Sequence, residues 1–262
     1  MYLVLPPIEK TEKLPIYPCT IGLKHLQGPM SRPNGAYFHH IFYVSSGEGL
    51  FDFNGIKKTL HAGSAIFIKK AFPVEYRPAS EDFKTSWLTF DGIASDALFE
   101  YFGAEGFAVL NNSIIETKIA EMYSLIERNT PIELLSARTY STIVDFFTLH
   151  KHNEENALLE QAKRFIRENY RNDMSVENIS SSIGISQSLL FKLFRLKERS
   201  TPMDYLRTVR VEAACKALAD SSLKISEIGA LCGFSDTSYF CKIFKEQIGE
   251  SPTVYRKNFM HW

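Results

Sequence analysis

The chain has 262 residues, room for one large domain or two of ordinary size. Hydrophobic residues make up 45% and aromatic residues 13%, a composition that buries a core and excludes a disordered chain. Lys+Arg and Asp+Glu both total 30, so the formal net charge is zero. This total hides a split, because residues 157–262 hold 16 basic and 12 acidic residues (+4) while residues 1–156 hold 14 and 18 (−4). A neutral total therefore does not exclude a nucleic-acid partner.

The sequence pattern predicts no targeting signal. No apolar stretch approaches the roughly 20 residues of a membrane-spanning helix, and the first apolar run is too short for a signal peptide. The four cysteines, Cys19, Cys215, Cys232 and Cys241, form no CxxC pair, which favours plain thiols in a reducing compartment. We therefore expect a cytoplasmic protein that does not bind membranes.

The first half has the pattern of short antiparallel strands. β-branched and aromatic runs alternate with turn residues, and nine of the 11 prolines precede Arg138. The Asn54-Gly55 pair predicts a two-residue type I′ hairpin, in which both central residues have positive φ. The pattern predicts a small antiparallel β-barrel or sandwich. Its main strands are expected at 37–45, 50–53, 57–60, 64–69 and 84–90.

Helical spacing of apolar residues begins after Ser95. It predicts helices over 114–128 and 132–149, joined at Pro131, which either cap the barrel or form a dimer face. A domain boundary follows this helical hairpin.

The polar tract 150–156 is the predicted linker between a domain at 1–149 and a domain at 157–262. His150 and His152 lie two residues apart and would not face each other on a helix. We therefore expect a solvated linker there and no metal site.

An internal repeat dominates the second half. With a shift of 50 residues, SLLFKLF at 188–194 lies over SYFCKIF at 238–244, and Pro202 falls on Pro252. Each copy predicts a short helix, a turn with a glycine, and a second helix that begins at a polar N-cap. This is a helix-turn-helix pattern.

The two units are expected at about 175–195 and 226–245, with a long helix from Met203 to about Ala219 between them. Ser175 and Ser186 are predicted to begin the helices of the first unit. Ser226 and either Ser235 or Asp236 are the corresponding residues of the second.

The outer faces of the two second helices match under the same shift. The inward set is Leu190, Leu193, Phe194 and either Leu196 or the stem of Lys197 in the first copy, and Phe240, Ile243 and Phe244 in the second. Polar and basic side chains remain outside, where Lys and Arg donate to guanine and hydroxyls contact bases or phosphates. For one copy alone, such a face could simply be a solvent-exposed helix surface, but two copies with matching outer faces favour DNA binding. The candidate DNA contacts are Gln187, Ser188, Phe191, Lys192, Arg195, Asp236, Thr237, Ser238, Cys241, Lys242 and Lys245.

These residues resemble the double helix-turn-helix domain of the AraC/XylS family of transcription regulators. The strongest signature is ISEIGALCGFSDTSYFCKIFKEQIGESPTVYR at 225–256, and the first unit is ISSSIGISQSLLFKLFRLKERSTPMDYLRTVRVEAA at 179–214. The resemblance implies bacterial, sequence-specific binding of double-stranded DNA, with the second helix of each unit as the reader.

Three positions depart from the family pattern. Ser180 and Gly229 stand where the family usually has Ala, and Arg199 stands where the first unit usually has Gly. We expect a strained left-handed backbone at Arg199, which weakens local stability.

The first half resembles the family's sensor domain, a cupin barrel, at SGEG (46–49), LHAGSAIFI (60–68) and WLTFDG (87–92). Cupin enzymes hold a metal with a His/Glu cluster. Here His39 and His40 point to opposite faces of a strand, and no third ligand is evident. The resemblance therefore implies a binding pocket with no metal, cofactor or catalytic residue.

The candidate effector contacts are Arg32, His39 or His40, Tyr76, Thr85 and Trp87. A guanidinium fork holds hydroxyls or a carboxylate, and an aromatic face stacks on a sugar ring. Arg32, Tyr76 and Trp87 are at positions similar to sugar-contacting ones in carbohydrate-responsive members of the family. The alternative places both aromatic side chains in the core and Arg32 on the surface.

Together these features predict an α+β protein with two domains, an N-terminal antiparallel, jelly-roll-like barrel with a helical hairpin and a C-terminal all-α double helix-turn-helix domain. We expect a ligand-responsive transcription activator that forms a homodimer, reads two successive major grooves per subunit, responds to a small molecule such as a sugar and contacts RNA polymerase. Two alternatives stay open. One is a metal-dependent cupin enzyme with a helical accessory domain, and the other is a protein-interaction module that does not bind DNA.

Overall fold

The computed structural model describes residues 2–5, 13–220 and 223–259. The chain divides into two compact units, Met1–Asn153 and Glu154–Trp262. The division lies within the predicted linker 150–156, but that tract is helical and belongs to the helix Ile132–Asn169. It contains neither Gly nor Pro, so nothing in it interrupts helical hydrogen bonding.

The first unit is built from antiparallel strands. They are β1 (Tyr2–Val4), β2 (Tyr17–Leu26), β3 (Met30–Arg32), β4 (His39–Ser46), β5 (Glu48–Phe53), β6 (Ile56–His61), β7 (Ser64–Ile68), β8 (Val74–Pro78), β9 (Lys84–Asp91) and β10 (Phe107–Asn111). The main predicted strands are confirmed as β4, β5, β6, β7 and β9. The long strand β2 escaped prediction because Pro18 and Gly22 interrupt its β-pattern.

These strands form a six-stranded sheet, in the order β1-β2-β9-β4-β7-β10, and a four-stranded sheet, in the order β3-β8-β5-β6. The facing sides of both sheets share one apolar core, to which Phe42 and Ile66 contribute from the larger sheet and Phe51 and Val74 from the smaller. The predicted barrel thus has the form of two antiparallel sheets packed face to face.

Helices cover the other side of the six-stranded sheet. They are α1 (Ser95–Phe102), α2 (Ile114–Glu127) and the first part of α3 (Ile132–Asn169). Ile119, Phe146 and Phe147 pack there against Phe67 and Phe90 of the sheet. The predicted helical hairpin is therefore present, and both faces of this sheet are buried.

The predicted tight turn joins β5 to β6. The strand register ends at the pair Phe53 and Ile56, and the two loop residues have φ of 51° at Asn54 and 93° at Gly55. The carboxylate of Asp52 accepts a hydrogen bond from the Gly55 amide at 2.6 Å. Positive φ at both central residues confirms the predicted turn type.

The second unit is helical. After the end of α3 it contains α4 (Val176–Ser182), α5 (Gln187–Glu198), α6 (Pro202–Asp220), α7 (Ile225–Leu231), α8 (Thr237–Ile248) and α9 (Pro252–Phe259). Helices α4 and α5 form the first helix-turn-helix unit, and α7 and α8 form the second. Among the described residues, no helix is both long and apolar enough to cross a lipid bilayer.

In the first unit, polar caps begin the helices where the sequence predicts them. Ser175 forms a capping box with Asn178, and Ser186 accepts a hydrogen bond from the Leu189 amide at 3.2 Å. In the second unit, α7 begins one residue earlier than predicted, at Ile225 after Lys224, because Glu227 accepts from the Lys224 amide at 2.7 Å.

Arg199 has the expected left-handed backbone, with φ of 52° and ψ of 30° at the end of α5. The matching position at the end of α8 is Gly249, whose φ is 91°. A side chain at positive φ costs about 1 kcal/mol relative to glycine, which adopts that region without strain.

Replacing Arg199 with Gly should therefore raise the free energy of unfolding by about 1 kcal/mol. Urea unfolding followed by circular dichroism measures the change. Gly249→Arg is the matched control and should destabilise by a similar amount. Equal stability of Arg199→Gly and the wild type would contradict the assignment of strain.

Candidate DNA-reading helices and effector pocket

The outer face of α5 carries most of the predicted contacts. Gln187, Ser188, Phe191, Lys192 and Arg195 are exposed. On the opposite face Leu190, Leu193 and Phe194 are buried. Either Leu196 or the stem of Lys197 was expected to pack inward as well; Leu196 is 64% exposed, whereas Lys197 is half-buried.

The outer face of α8 repeats this arrangement. Thr237, Ser238, Lys242 and Lys245 are exposed, and Phe240, Ile243 and Phe244 are buried. The two candidate reading faces are thus presented by equivalent helices of two structural repeats.

Two predicted contacts of the second unit have structural partners of their own. Asp236 is exposed but caps α8, since its carboxylate accepts from the Tyr239 amide at 2.6 Å. Cys241 is half-buried and packs against the core of the unit. Its position at the border of the reading face reduces the area that it presents outward.

The lysines of the two reading faces differ in their electrostatic surroundings. The Lys192 ammonium lies 3.4 Å from the Glu155 carboxylate, which is mostly buried, with 18% of its side chain exposed. Lys242 has its carboxylate neighbour, Glu246, on its own helix at 4.0 Å and is 71% exposed. A phosphate or base that binds Lys192 must compete with Glu155, whereas Lys242 is more accessible.

A pocket of about 300 Å³ lies in the first unit, lined by residues of both sheets. Four of the predicted effector contacts line it, namely Arg32, His40, Tyr76 and Trp87. The residues that sequence reasoning missed are Tyr2, Thr20, His25, Gln27, Met30, Ala36, Phe42, Ile68, Val74 and Thr89. Thr89 was detectable, since it lies two residues after Trp87 and therefore on the same face of β9.

The charged end of the pocket is an Arg32–His40 pair. The Arg32 guanidinium donates to His40 Nε2 at 2.9 Å, so His40 Nδ1 carries the proton and donates to the Phe38 carbonyl at 3.0 Å. Burial, together with the nearby Arg32 charge, lowers the pKa of His40 to about 3. This pair therefore contributes one cation and one neutral imidazole at neutral pH.

The part of the lining next to His40, on β2 and β9, is aromatic and hydroxylated. The Trp87 ring lies 5.5 Å from the His25 ring, edge to face, and its Nε1 donates to the Thr20 hydroxyl at 3.3 Å. Thr20 and Thr89 hydroxyls are 2.8 Å apart. Gly22 lies beneath the indole, where any Cβ would be 2.4 Å from the ring, so only glycine permits this position of Trp87.

Two predicted effector contacts lie outside the pocket. Thr85 is fully buried and donates to the Gln27 side chain at 3.1 Å, so it holds a residue that does line the pocket. His39 points to the other face of the sheet, between Phe90 and Phe99, because neighbouring residues of a strand alternate in direction.

His39 has a structural environment of its own. Its Nδ1 accepts from the Lys70 amide at 3.1 Å, and burial lowers its pKa to about 4. Asp91 lies 3.8 Å from its Nε2. Across the described residues, no group of three or more His, Cys, Asp or Glu side chains is arranged to hold a metal ion.

A pair of helix-turn-helix units and a two-sheet domain with a small-molecule pocket define a ligand-binding transcription regulator. Comparison with known proteins agrees with this class. Residues 23–143 match the model of the AraC-like ligand binding domain, and residues 179–258 match that of a helix-turn-helix domain. The chain belongs to the AraC/XylS family of DNA-binding transcription regulators.

Similar proteins come from several bacteria. The lactose operon transcription activator of Staphylococcus xylosus is 26% identical over 87% of this chain and 88% of its own. The Msm operon regulatory protein of Streptococcus mutans is 25% identical over 88% and 86%. The raffinose operon transcriptional regulatory protein of Pediococcus pentosaceus is 25% identical over 83% and 84%.

The ion pair at Lys192 leads to a testable expectation. Glu155→Gln should tighten binding to duplex DNA by about two- to fivefold at low salt, since the variant frees Lys192 and removes a negative charge. The gain should shrink at higher ionic strength, where exposed charges are screened. Fluorescence anisotropy with a labelled duplex measures both.

The matched control for this measurement is Glu168→Gln, which removes the same charge from an exposed position of the same helix. An equal gain in the two variants would show a general charge effect and contradict a specific competition at Lys192.

Proposed function

We propose that this protein is a carbohydrate-responsive transcription activator that reads two successive major grooves per subunit. The observation that carries the proposal is the repeated, exposed reading face on α5 and α8, each over a buried apolar face. Lys and Arg on such helices donate to guanine, and Ser and Thr hydroxyls contact bases or phosphates.

A sugar suits the chemistry of the pocket. Arg32 offers charged donors, the Thr20 and Thr89 hydroxyls offer both donors and acceptors, and Trp87 and Tyr76 offer apolar ring faces. A sugar ring needs both kinds of surface, because its hydroxyls and its C–H faces point in different directions. The names of two similar proteins refer to lactose and raffinose operons, which supports the same class of effector.

The domain layout proposed for this function is sensor at 1–149, linker at 150–156 and DNA-binding domain at 157–262. The protein would act in the cytoplasm, where its DNA is. A homodimer formed through α2 and the first part of α3 would place two DNA-binding domains on one operator, and contact with RNA polymerase would account for activation. An effector changes that output only by binding one arrangement of the dimer more tightly than another.

We propose further that the first unit binds its effector without catalysis. His39 and His40 are the residues that most resemble the metal ligands of a cupin enzyme, but they lie on opposite faces of β4. Metal analysis of the purified protein tests this, and stoichiometric iron, manganese or zinc bound by the first unit would favour the enzyme alternative.

Lys242→Ala should weaken binding to a selected operator by about 1 to 3 kcal/mol and relax the preference at one base position, if Lys242 reads a base. Selection from a random duplex library, before and after the change, measures both effects. Lys216→Ala, at an exposed position of α6, is the matched control for loss of one charge. Uniform weakening over all sequences would identify a phosphate contact instead.

Trp87→Ala should abolish the shift in Tm that an effector sugar produces and leave DNA binding unchanged. A thermal-shift screen that includes lactose and raffinose, followed by anisotropy with operator DNA, measures the two properties. Tyr101→Ala, which removes an 81% exposed aromatic side chain from the same unit, should keep the sugar response. Loss of folding in Trp87→Ala would assign Trp87 to the core and contradict its role as a contact.

A further inference from the structure

The two helix-turn-helix units have separate apolar cores that meet on α6. Val209 is buried in the core of the first unit, with Leu190 and Phe194, and Val211 is buried in the core of the second, with Phe240. Within the described part of the chain, the two clusters have no residue in common. A shared apolar core therefore does not hold the junction of the two units.

Arg210 lies between these two valines and makes a polar bridge. Its Nε donates to the carbonyl oxygen of Tyr170 at 2.8 Å, and its Nη2 donates to the carbonyl oxygen of Asn172 at 2.9 Å. Both carbonyls belong to the loop that leads from α3 into the first unit. Because the guanidinium is planar and donates to two acceptors, these hydrogen bonds fix the orientation of α6 relative to the loop as well as the distance between them.

The other side of the same guanidinium faces the second unit. The guanidinium carbon is 5.8 Å from the centre of the Phe234 ring, and Phe234 is buried in the turn between α7 and α8. Beside it, a Cβ on Gly233 would lie 2.6 Å from the Tyr170 carbonyl oxygen and 2.9 Å from Arg210 Nε. The turn of the second unit thus packs directly on the loop that leads into the first, with Arg210 at the contact.

We propose that Arg210 is a positioning residue that fixes the separation and rotation of α8 relative to α5. It would thereby set the spacing that the protein accepts between the two half-sites, meaning the two groove sites that α5 and α8 of one subunit contact. This inference rests on the proposed reading of two successive major grooves. One inserted base pair moves the second half-site by about 3.4 Å and turns it by about 35° around the duplex. A rigid junction rejects such a shift, whereas a loose junction tolerates it.

The experiment compares the full-length wild type with Arg210→Met, which keeps an apolar stem and loses the donors. The probes are the duplex that the wild type selects from a random library and versions with one or two base pairs inserted or removed between its half-sites. We expect the wild type to lose about tenfold in affinity for each shifted probe, and Arg210→Met to lose less than about threefold. Binding to an isolated half-site should be equal for the two proteins.

Arg207→Met is the matched control. Arg207 lies three residues earlier on α6 and pairs with Asp204 of its own helix at 2.7 Å, so its loss removes the same charge without touching the junction. It should keep the wild-type spacing profile. A wild-type profile in Arg210→Met would overturn the proposal.

Arg210→Lys covers the case in which Arg210→Met does not fold, as judged by circular dichroism. The ammonium keeps the charge but lacks the planar fork, so intermediate discrimination between spacings is expected and a wild-type profile overturns the proposal. Unfolding of both variants also overturns it, because the contact would then serve folding and not spacing. Failure of the proposed function gives a different result, since the wild type itself would then select no pair of half-sites.

Discussion

Burial of both faces of the six-stranded sheet is the constraint on which the first unit depends. One face packs on the four-stranded sheet and the other on α1, α2 and the first part of α3. A strand turns successive side chains to opposite faces, so each residue of β4, β7 and β9 lies in one of two environments. This explains the continuous apolar runs at 41–44 and 65–68, which are typical of strands buried on both sides.

The pocket that we propose for the effector follows from the same alternation. His40 and Trp87 lie on the side of the sheet that faces the smaller sheet, where the strands leave a space of about 300 Å³. Tight packing at Gly22 positions the indole, and burial keeps His40 neutral beside Arg32. The neutral imidazole accepts a hydrogen bond from Arg32 and so holds the guanidinium in place, without two adjacent positive charges.

The arrangement of the second unit depends on the residues that cap its helices and on the polar contact of Arg210 between the two helix-turn-helix units. Each helix-turn-helix has a small core of its own, and capping residues fix where the reading helices begin. Residues 157–262 carry a net charge of +4, which is modest for a DNA-binding domain, and Lys192, one of the lysines proposed to contact DNA, is paired with Glu155. Affinity in such a protein depends more on the correct insertion of two helices than on a broad positive field. Under the proposed reading of two major grooves, the geometry between α5 and α8 is therefore central to recognition.

The sequence by itself determined what neighbouring residues decide: the Asn54-Gly55 turn, the cap at Ser186 and the left-handed Arg199, as well as the repeat of two helix-turn-helix units. Each depends on the backbone preferences of a few neighbouring residues, which the local sequence reveals directly. Only the tertiary structure decided that His40 and not His39 lines the pocket, and that residues of β2, distant in sequence, complete it. A strand pattern shows that side chains alternate, but the phase of that alternation is set by what packs against each face.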